Sequence, residues 1–155
     1  MTKLTIIIPV YNEIKTIEKL IKKILKIKIK KQLIIVDDGS SDGTELILKK
    51  YKNRINKLIT HKKNLGKGAA IKSGQKYIKG KYIGIQDADL EYDPRDLKKI
   101  VNEMSKKNIK VMYGSRVLKK NKFKNTQSFT HIVRIWGNIF LTKVSNFLNS
   151  QQLTD

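Results

Sequence analysis

Ile83-Gly84-Ile85-Gln86-Asp87-Ala88-Asp89-Leu90-Glu91 runs from an apolar segment straight into three carboxylates at alternate positions. The apolar half, opened by Tyr82, reads as a short buried strand. If the chain stays extended beyond it, alternate side chains point the same way, and Asp87, Asp89 and Glu91 converge on one spot. Convergent carboxylates need a cation, and oxygen-only ligands suit Mg2+ or Mn2+. Mg2+ typically takes one or two carboxylates and fills its shell with water and substrate phosphates, which makes a diphosphate the natural third party. The plain alternative is a solvated acidic turn. Context favours the site, because the chain has only 13 acidic residues against 34 basic ones and this cluster ends a strand.

Outward from that stretch, short apolar runs alternate with helical patterns. Leu4 to Val10 reads as a buried strand, and Asn12 can cap a helix with apolar positions Ile14, Ile17, Leu20, Ile21, Ile24 and Leu25. Leu33 to Val36 is a second strand, stopped by Asp37-Asp38-Gly39-Ser40. Ser41 or Asp42 then caps a helix carrying Leu46, Ile47 and Tyr51. Leu58 to Thr60 is a third strand, followed by the loop His61 to Gly66 and a helix through Ala69, Ala70, Ile71 and Ile78. Tyr82 to Ile85 is the fourth, and Asp93-Pro94 opens a helix with Leu97, Ile100, Val101 and Met104. Val111 to Tyr113 is a fifth strand before Gly114-Ser115-Arg116. The alternation predicts a three-layer α/β/α domain with a mostly parallel central sheet whose strands are buried on both faces.

The 155 residues fit one domain, and 39% hydrophobic residues suffice for its core. With no cysteine there is no disulfide, thiolate nucleophile or cysteine zinc site, which fits a reducing compartment. The apolar amino-terminal run is too short for a signal sequence and Pro9 interrupts it. No apolar stretch approaches the roughly 20 residues of a membrane span. The expected location is cytoplasmic, with peripheral contact at the cytoplasmic face of a membrane. A charge of +21 suggests nucleic acid, but 30 of the 34 basic residues are lysines spread over every helix without aromatic interleaving, so no nucleic-acid partner is expected. That potential still favours anionic partners such as phospholipid headgroups or phosphorylated substrates.

In parallel α/β sheets, ligands bind beyond the carboxyl ends of the strands. Tyr11-Asn12-Glu13, Asp37-Asp38-Gly39, the acidic cluster and Gly114-Ser115-Arg116 each follow a strand, so all four fall at that edge. One such group is an ordinary helix cap; four at one edge make a shared site.

The segments Ile6 to Glu13, Ile35 to Thr44, Asn64-Leu65-Gly66-Lys67-Gly68 and Asp87-Ala88-Asp89, in that order and spacing, resemble the family 2 glycosyltransferases. Glu91-Tyr92-Asp93-Pro94, Gly114-Ser115-Arg116 and the segment Gly137 to Thr142 look more narrowly like the dolichyl-phosphate mannose synthase branch. The resemblance implies a GT-A fold, a nucleotide diphosphate sugar donor of the GDP-mannose or UDP-glucose type, a divalent cation, and a polyprenyl or dolichyl phosphate acceptor. It implies that Pro9, Tyr11 and Glu13 border the nucleoside, with Ile35 and Asp37 completing the base and ribose pocket, while Asp38 caps the turn before the second helix. Lys67 resembles a residue near the donor diphosphate. Asp87, Ala88 and Asp89 resemble the metal and diphosphate signature, with Glu91 a further ligand. The whole chain then reads as one catalytic domain, residues 1–116 its core and 117–155 the start of an acceptor-side region. The likeness suggests a form truncated at the carboxyl end.

The chemistry implied is leaving-group catalysis with inversion at the anomeric carbon. The charge that develops on the nucleotide diphosphate is stabilised by the cation with Lys67 or Arg116. Asp89 and Arg116 are the expected catalytic residues, Arg116 because a guanidinium fork suits phosphate oxygens. A lipid phosphate with a second pKa near about 6 is already anionic, so no strong base is needed. His61, in a loop, and His131, before a helix, are expected to be surface or packing residues. Arg134 is a candidate second cation. The last helix, about residues 131–149, carries an apolar stripe with Trp136 that is read as core with some membrane-side exposure. Two other readings are a nucleotide-sugar-binding module without turnover and a sugar nucleotidyltransferase; a basic RNA-binding domain ranks last.

Overall fold

The computed structural model describes residues 3–113. The chain divides into two compact units, residues 1–110 and 111–155, and the elements below belong to the first. In chain order they are β1 (Leu4–Val10), α1 (Ile17–Leu25), β2 (Lys31–Asp37), α2 (Thr44–Lys50), a 3-10 turn (Lys52–Arg54), β3 (Lys57–Thr60), α3 (Lys67–Gln75), β4 (Tyr82–Ile85) and α4 (Arg95–Lys107). The strands form one sheet in the order β3-β2-β1-β4, every pairing parallel. Leu4 lies beside Lys31 and Tyr82, and Val10 beside Asp37, so β1 and β2 start and stop level, while β4 pairs only as far as Ile7 and β3 only from Ile34 onward.

Period-two alternation divides the strand residues between two cores. Leu4, Ile6, Ile8, Val10, Leu33 and Ile35 pack with Ile17, Leu20, Ile21 and Ile24 of α1, Leu48 of α2 and Val101 of α4. Ile7, Ile34 and Val36 pack with Ala70 of α3 on the other face. Both-face burial holds for the central strands β1 and β2. The edge strand β4 instead alternates, with Ile83 and Ile85 exposed.

The local starts differ from the sequence reading in instructive ways. α1 begins at Ile17 because Asn12 adopts a left-handed φ of 55° and its side chain accepts from Ser41 N–H (2.9 Å) instead of capping. Ile14 is consequently exposed. Lys31 Nζ donates to the carbonyls of Leu25 and Ile27, satisfying groups left open at the end of α1. α4 is capped as expected, Arg95 N–H donating to Asp93 Oδ1 (3.0 Å), although Pro94 occupies the cap position itself. Val111 to Tyr113, read as a fifth strand, is not in a strand. Gly114, Ser115, Arg116, His131, Arg134, Trp136 and the helix expected over 131–149 lie outside the described residues.

Candidate functional site

Two loops at the carboxyl rim are stitched together before any ligand is considered. Asn12 N–H donates to Ser40 Oγ (2.9 Å), Glu13 N–H to Thr44 Oγ1 (2.9 Å) and Ile14 N–H to Asp42 Oδ2 (3.0 Å). Asp42 also accepts from Thr44 N–H (2.9 Å) and its hydroxyl (2.6 Å), so the segment after β2 holds the segment after β1 by side-chain to backbone bonds. Gly39 is required here. It has φ 76°, and a Cβ on it would lie 2.6 Å from the Lys63 carbonyl carbon, because the 61–66 loop crosses directly over it.

The result is a cleft of about 350 Å³ lined by Pro9, Val10, Tyr11, Glu13, Asp38, Asn64, Gly66, Lys67, Asp87, Ala88 and Asp89. Seven residues singled out from the sequence, Pro9, Tyr11, Glu13, Lys67, Asp87, Ala88 and Asp89, meet there. Four of the lining residues are carboxylates, against one lysine, in a chain with 13 acidic residues in all. Lys67 Nζ stands 2.6 Å from Asp87 Oδ1. This concentration of negative charge around one cation creates an electrostatic demand for further positive charge.

Three sequence-singled residues do not reach the cleft. Ile35 is fully buried in the α1 core. Asp37, 1% exposed, turns into the protein, where its Oδ1 accepts from Ser40 N–H (3.0 Å). Glu91 is exposed, and the chain is not extended beyond the strand: it turns at Ala88–Asp89, and Leu90 has φ 66°. Asp89 Oδ1 then accepts from Glu91 N–H (3.0 Å), so it is the backbone of Glu91 that meets Asp89. Among the described residues no group of three metal-ligating side chains gathers. Asp87 and Asp89 on the cleft wall fit a cation that completes its shell with water and phosphate oxygens, the usual habit of Mg2+.

Asp38 is the residue the sequence reading missed, having taken it for the turn cap. The capping bond belongs to Asp37, while Asp38 is a hub at the cleft wall. Its Oδ1 accepts from His61 Nδ1 (2.6 Å) and Leu65 N–H (3.0 Å), and its Oδ2 from Gly66 N–H (2.7 Å). Burial works against its ionisation, yet those hydrogen bonds outweigh burial and hold the carboxyl below its ordinary 3.8. The signal lay in the alternation. Ile34 and Val36 face α3, so Asp38 continues that face toward Lys67, whereas Asp37 continues the face of Ile35.

His61, expected as a surface or packing residue, is a packing residue. Its side chain is 10% exposed, and with Nδ1 donating to Asp38, Nε2 accepts from the Ser73 hydroxyl (2.9 Å). Both ring nitrogens are engaged in packing the base of the 61–66 loop.

A sheet of parallel strands between helices, with a cleft beyond the carboxyl ends of the strands, defines an open-sheet type of α/β protein whose ligands bind at that edge. The profile of the glycosyl transferase family 2 matches residues 5–154, and the chain belongs to that family. It is 28% identical over 126 residues to dodecaprenyl-phosphate galacturonate synthase of Rhizobium johnstonii, covering 77% of this chain and 37% of that protein. S. aureus TarS 1-349 in complex with UDP-GlcNAc superposes with a TM-score of 0.60 at 26% identity, covering 68% of this chain and 32% of that one. The mannosyltransferase PcManGT from Pyrobaculum calidifontis, in complex with GDP-Man and Mn2+, superposes with a TM-score of 0.56 at 26% identity, covering 64% and 30%. The fold is therefore of the GT-A type. The chain spans 37%, 52% and 60% of the lengths of the first three curated relatives it matches.

Proposed function

We propose that this chain forms the donor-binding half of a glycosyltransferase that moves a sugar from a nucleotide diphosphate sugar to a polyprenyl phosphate. The observation that carries the reading is the meeting of Asp38, Lys67, Asp87 and Asp89 on one cleft at the carboxyl rim. Pro9, Tyr11, Glu13 and Asp38 border the nucleoside, Asp38 as an acceptor for ring N–H or ribose hydroxyl groups. Lys67 supplies a positive charge at the donor diphosphate, and Asp87 with Asp89 holds Mg2+ or Mn2+. A bound divalent cation adds charge that stabilises the leaving diphosphate. The acceptor oxygen, already anionic, attacks the anomeric carbon from the opposite face and inverts it, so no protein base is required; His61, with both nitrogens engaged, is not placed to be one. Arg116 is assigned to the acceptor phosphate or the diphosphate, on the acceptor side that continues through 117–155.

Support for the acceptor comes from the dodecaprenyl-phosphate relative, and for the metal from the Mn2+ complex of the mannosyltransferase. The two structural neighbours carry UDP-GlcNAc and GDP-Man, so both bases remain in the proposal. A lipid acceptor places the work at a membrane face, and no helix among the described residues is long and apolar enough to cross a membrane. A second reading of the same cleft is a nucleotide-sugar-binding module without turnover.

Calorimetry with UDP, GDP and their sugars, with and without Mn2+, tests both readings: metal-dependent nucleotide binding is expected, weakened at least about tenfold by Asp89→Asn with thermal stability unchanged. Absence of metal-dependent binding ends both. Transfer of radiolabelled sugar to a short polyprenyl phosphate then separates them, since a module binds without product.

A further inference from the structure

The opposite rim of the sheet, at the amino ends of the strands, has a cleft of about 790 Å³, larger than the one at the carboxyl ends. Lys3, Lys28, Lys30, Lys79, Lys81 and Lys98 line it, brought there from four separate segments, and no carboxylate does. Ion pairs to acids are formed by other lysines of the described residues: Lys22 with Glu18, Lys49 with Glu45, Lys67 with Asp87, Lys99 with Asp96, Lys106 and Lys107 with Glu103. None of the six cleft lysines has an ion pair among the described residues, and Lys81 meets only the Tyr82 ring, 5.6 Å away. A lysine-rich composition explains exposed lysines on every face. It does not explain six gathered in one concavity without a counter-charge, where their mutual repulsion works against the fold.

The cleft is also rigidly built. Thr5, fully buried, and Gln32, 7% exposed, form a polar knot beneath it: the Thr5 hydroxyl donates to Gln32 Oε1 (2.8 Å). Lys79 N–H donates to the same oxygen (2.9 Å), Gly80 N–H to Thr5 Oγ1 (2.9 Å), and Gln32 Nε2 to the Tyr77 carbonyl (2.8 Å). Gly80 lies so close that a Cβ there would come within 2.5 Å of Thr5 N. Lys3 N–H donates to the Lys30 carbonyl (2.9 Å), and Tyr82 N–H to the Lys3 carbonyl (3.0 Å). The backbones that carry Lys3, Lys30, Lys79 and Lys81 are thus tied to one another, which lowers the ordering cost of binding.

We propose that this cleft is a second anion site, taking a ligand with clustered phosphate groups and independent of the donor cleft. Ammonium groups act as point charges without a fixed fork, so the site selects for charge density above exact shape. The seven residues of β1 put about 23 Å between the two rims, so a ligand here does not touch the donor cleft. The phosphates belong either to a soluble oligophosphate or to an anionic lipid headgroup.

The test is calorimetry of the full chain with tripolyphosphate in metal-free, low-salt buffer, and pelleting with phosphatidylcholine vesicles with and without phosphatidylglycerol. Lys28→Gln/Lys79→Gln/Lys81→Gln is expected to weaken binding about tenfold. Lys22→Gln/Lys49→Gln/Lys106→Gln, which removes the same charge from acid-paired positions, is expected to change it less than about twofold. Tripolyphosphate binding without vesicle pelleting identifies a soluble ligand; charge-dependent pelleting lost in the first variant identifies a headgroup. Binding of neither probe, equal losses in both variants, or undiminished binding in the first variant overturns the proposal. Nucleotide binding with Mn2+ is measured separately, so the donor-site reading and this one fail independently.

Discussion

At the carboxyl ends of the strands, four carboxylates and one lysine line a cleft of about 350 Å³; at the amino ends of the same strands, six lysines and no carboxylate line one of about 790 Å³. Both rims are held by hydrogen bonds from side chains to backbone, but the side chains differ. The carboxyl rim relies on Asp38 and Asp42, whose charges are fixed among N–H groups, while the amino rim relies on the neutral pair Thr5 and Gln32. In a parallel sheet the two ends are chemically distinct, because loops leaving the carboxyl ends start helices whose N–H groups favour anionic partners. The charge needed to build the carboxyl rim is therefore negative, and a cation-demanding cleft follows from it. At the other rim a neutral knot leaves the surrounding lysines unopposed.

The comparison breaks most visibly at Asp38. Asp38→Ala deprives His61 Nδ1 and the Leu65 and Gly66 N–H groups of their acceptor in a nearly buried place. A loss of about 3 kcal/mol in urea unfolding is expected, together with loss of nucleotide binding in calorimetry as the 61–66 loop releases Lys67. Gly80→Ala attacks the amino rim by shape alone. The added Cβ meets the Thr5 backbone, and a loss of about 2 kcal/mol is expected, with metal-dependent nucleotide binding retained once the protein is folded.

Acid sharpens the contrast with a smaller effect. Burial opposes ionisation of Asp38 and Asp42, and their hydrogen bonds overcome it, so both folded carboxyls lie below the ordinary 3.8. Their contribution is whole above that value and is lost as pH falls through the folded one. Urea midpoints are therefore expected to drop as pH falls from about 5 to 3. The drop should be shallower in Asp38→Ala, and unchanged in steepness in Thr5→Ser, since the amino rim is held by neutral groups.

All four observed strands and four helices were legible as apolar runs and three-and-four spacings, most strongly β1 and β2, where burial on both faces leaves a continuous Ile, Val and Leu signature. What the sequence did not show depended on partners distant in sequence or on a single local turn. Asn12 looked like a cap until Ser41, 29 residues on, claimed its side chain. Glu91 does not follow Asp87 and Asp89 along one extended face, because the chain turns at Ala88–Asp89. His61 was open between surface and packing because neither Asp38 nor Ser73, which hold it as a packing residue, is its neighbour in sequence.

The amino-acid order by itself determined the alternation of strand and helix, the parallel sheet, and the family to which the chain belongs, since those follow from local periodicity and from ordered motifs. Only the tertiary structure decided that Asp38 is tied to His61 and the 61–66 loop at the wall of the carboxyl-rim cleft, that Lys67 closes on Asp87, and that six lysines from four segments share one concavity at the far rim. The reason is geometric. Pattern fixes which face of an element is apolar, while the direction of a polar side chain at an element's end is set by hydrogen-bond partners that folding alone brings within reach.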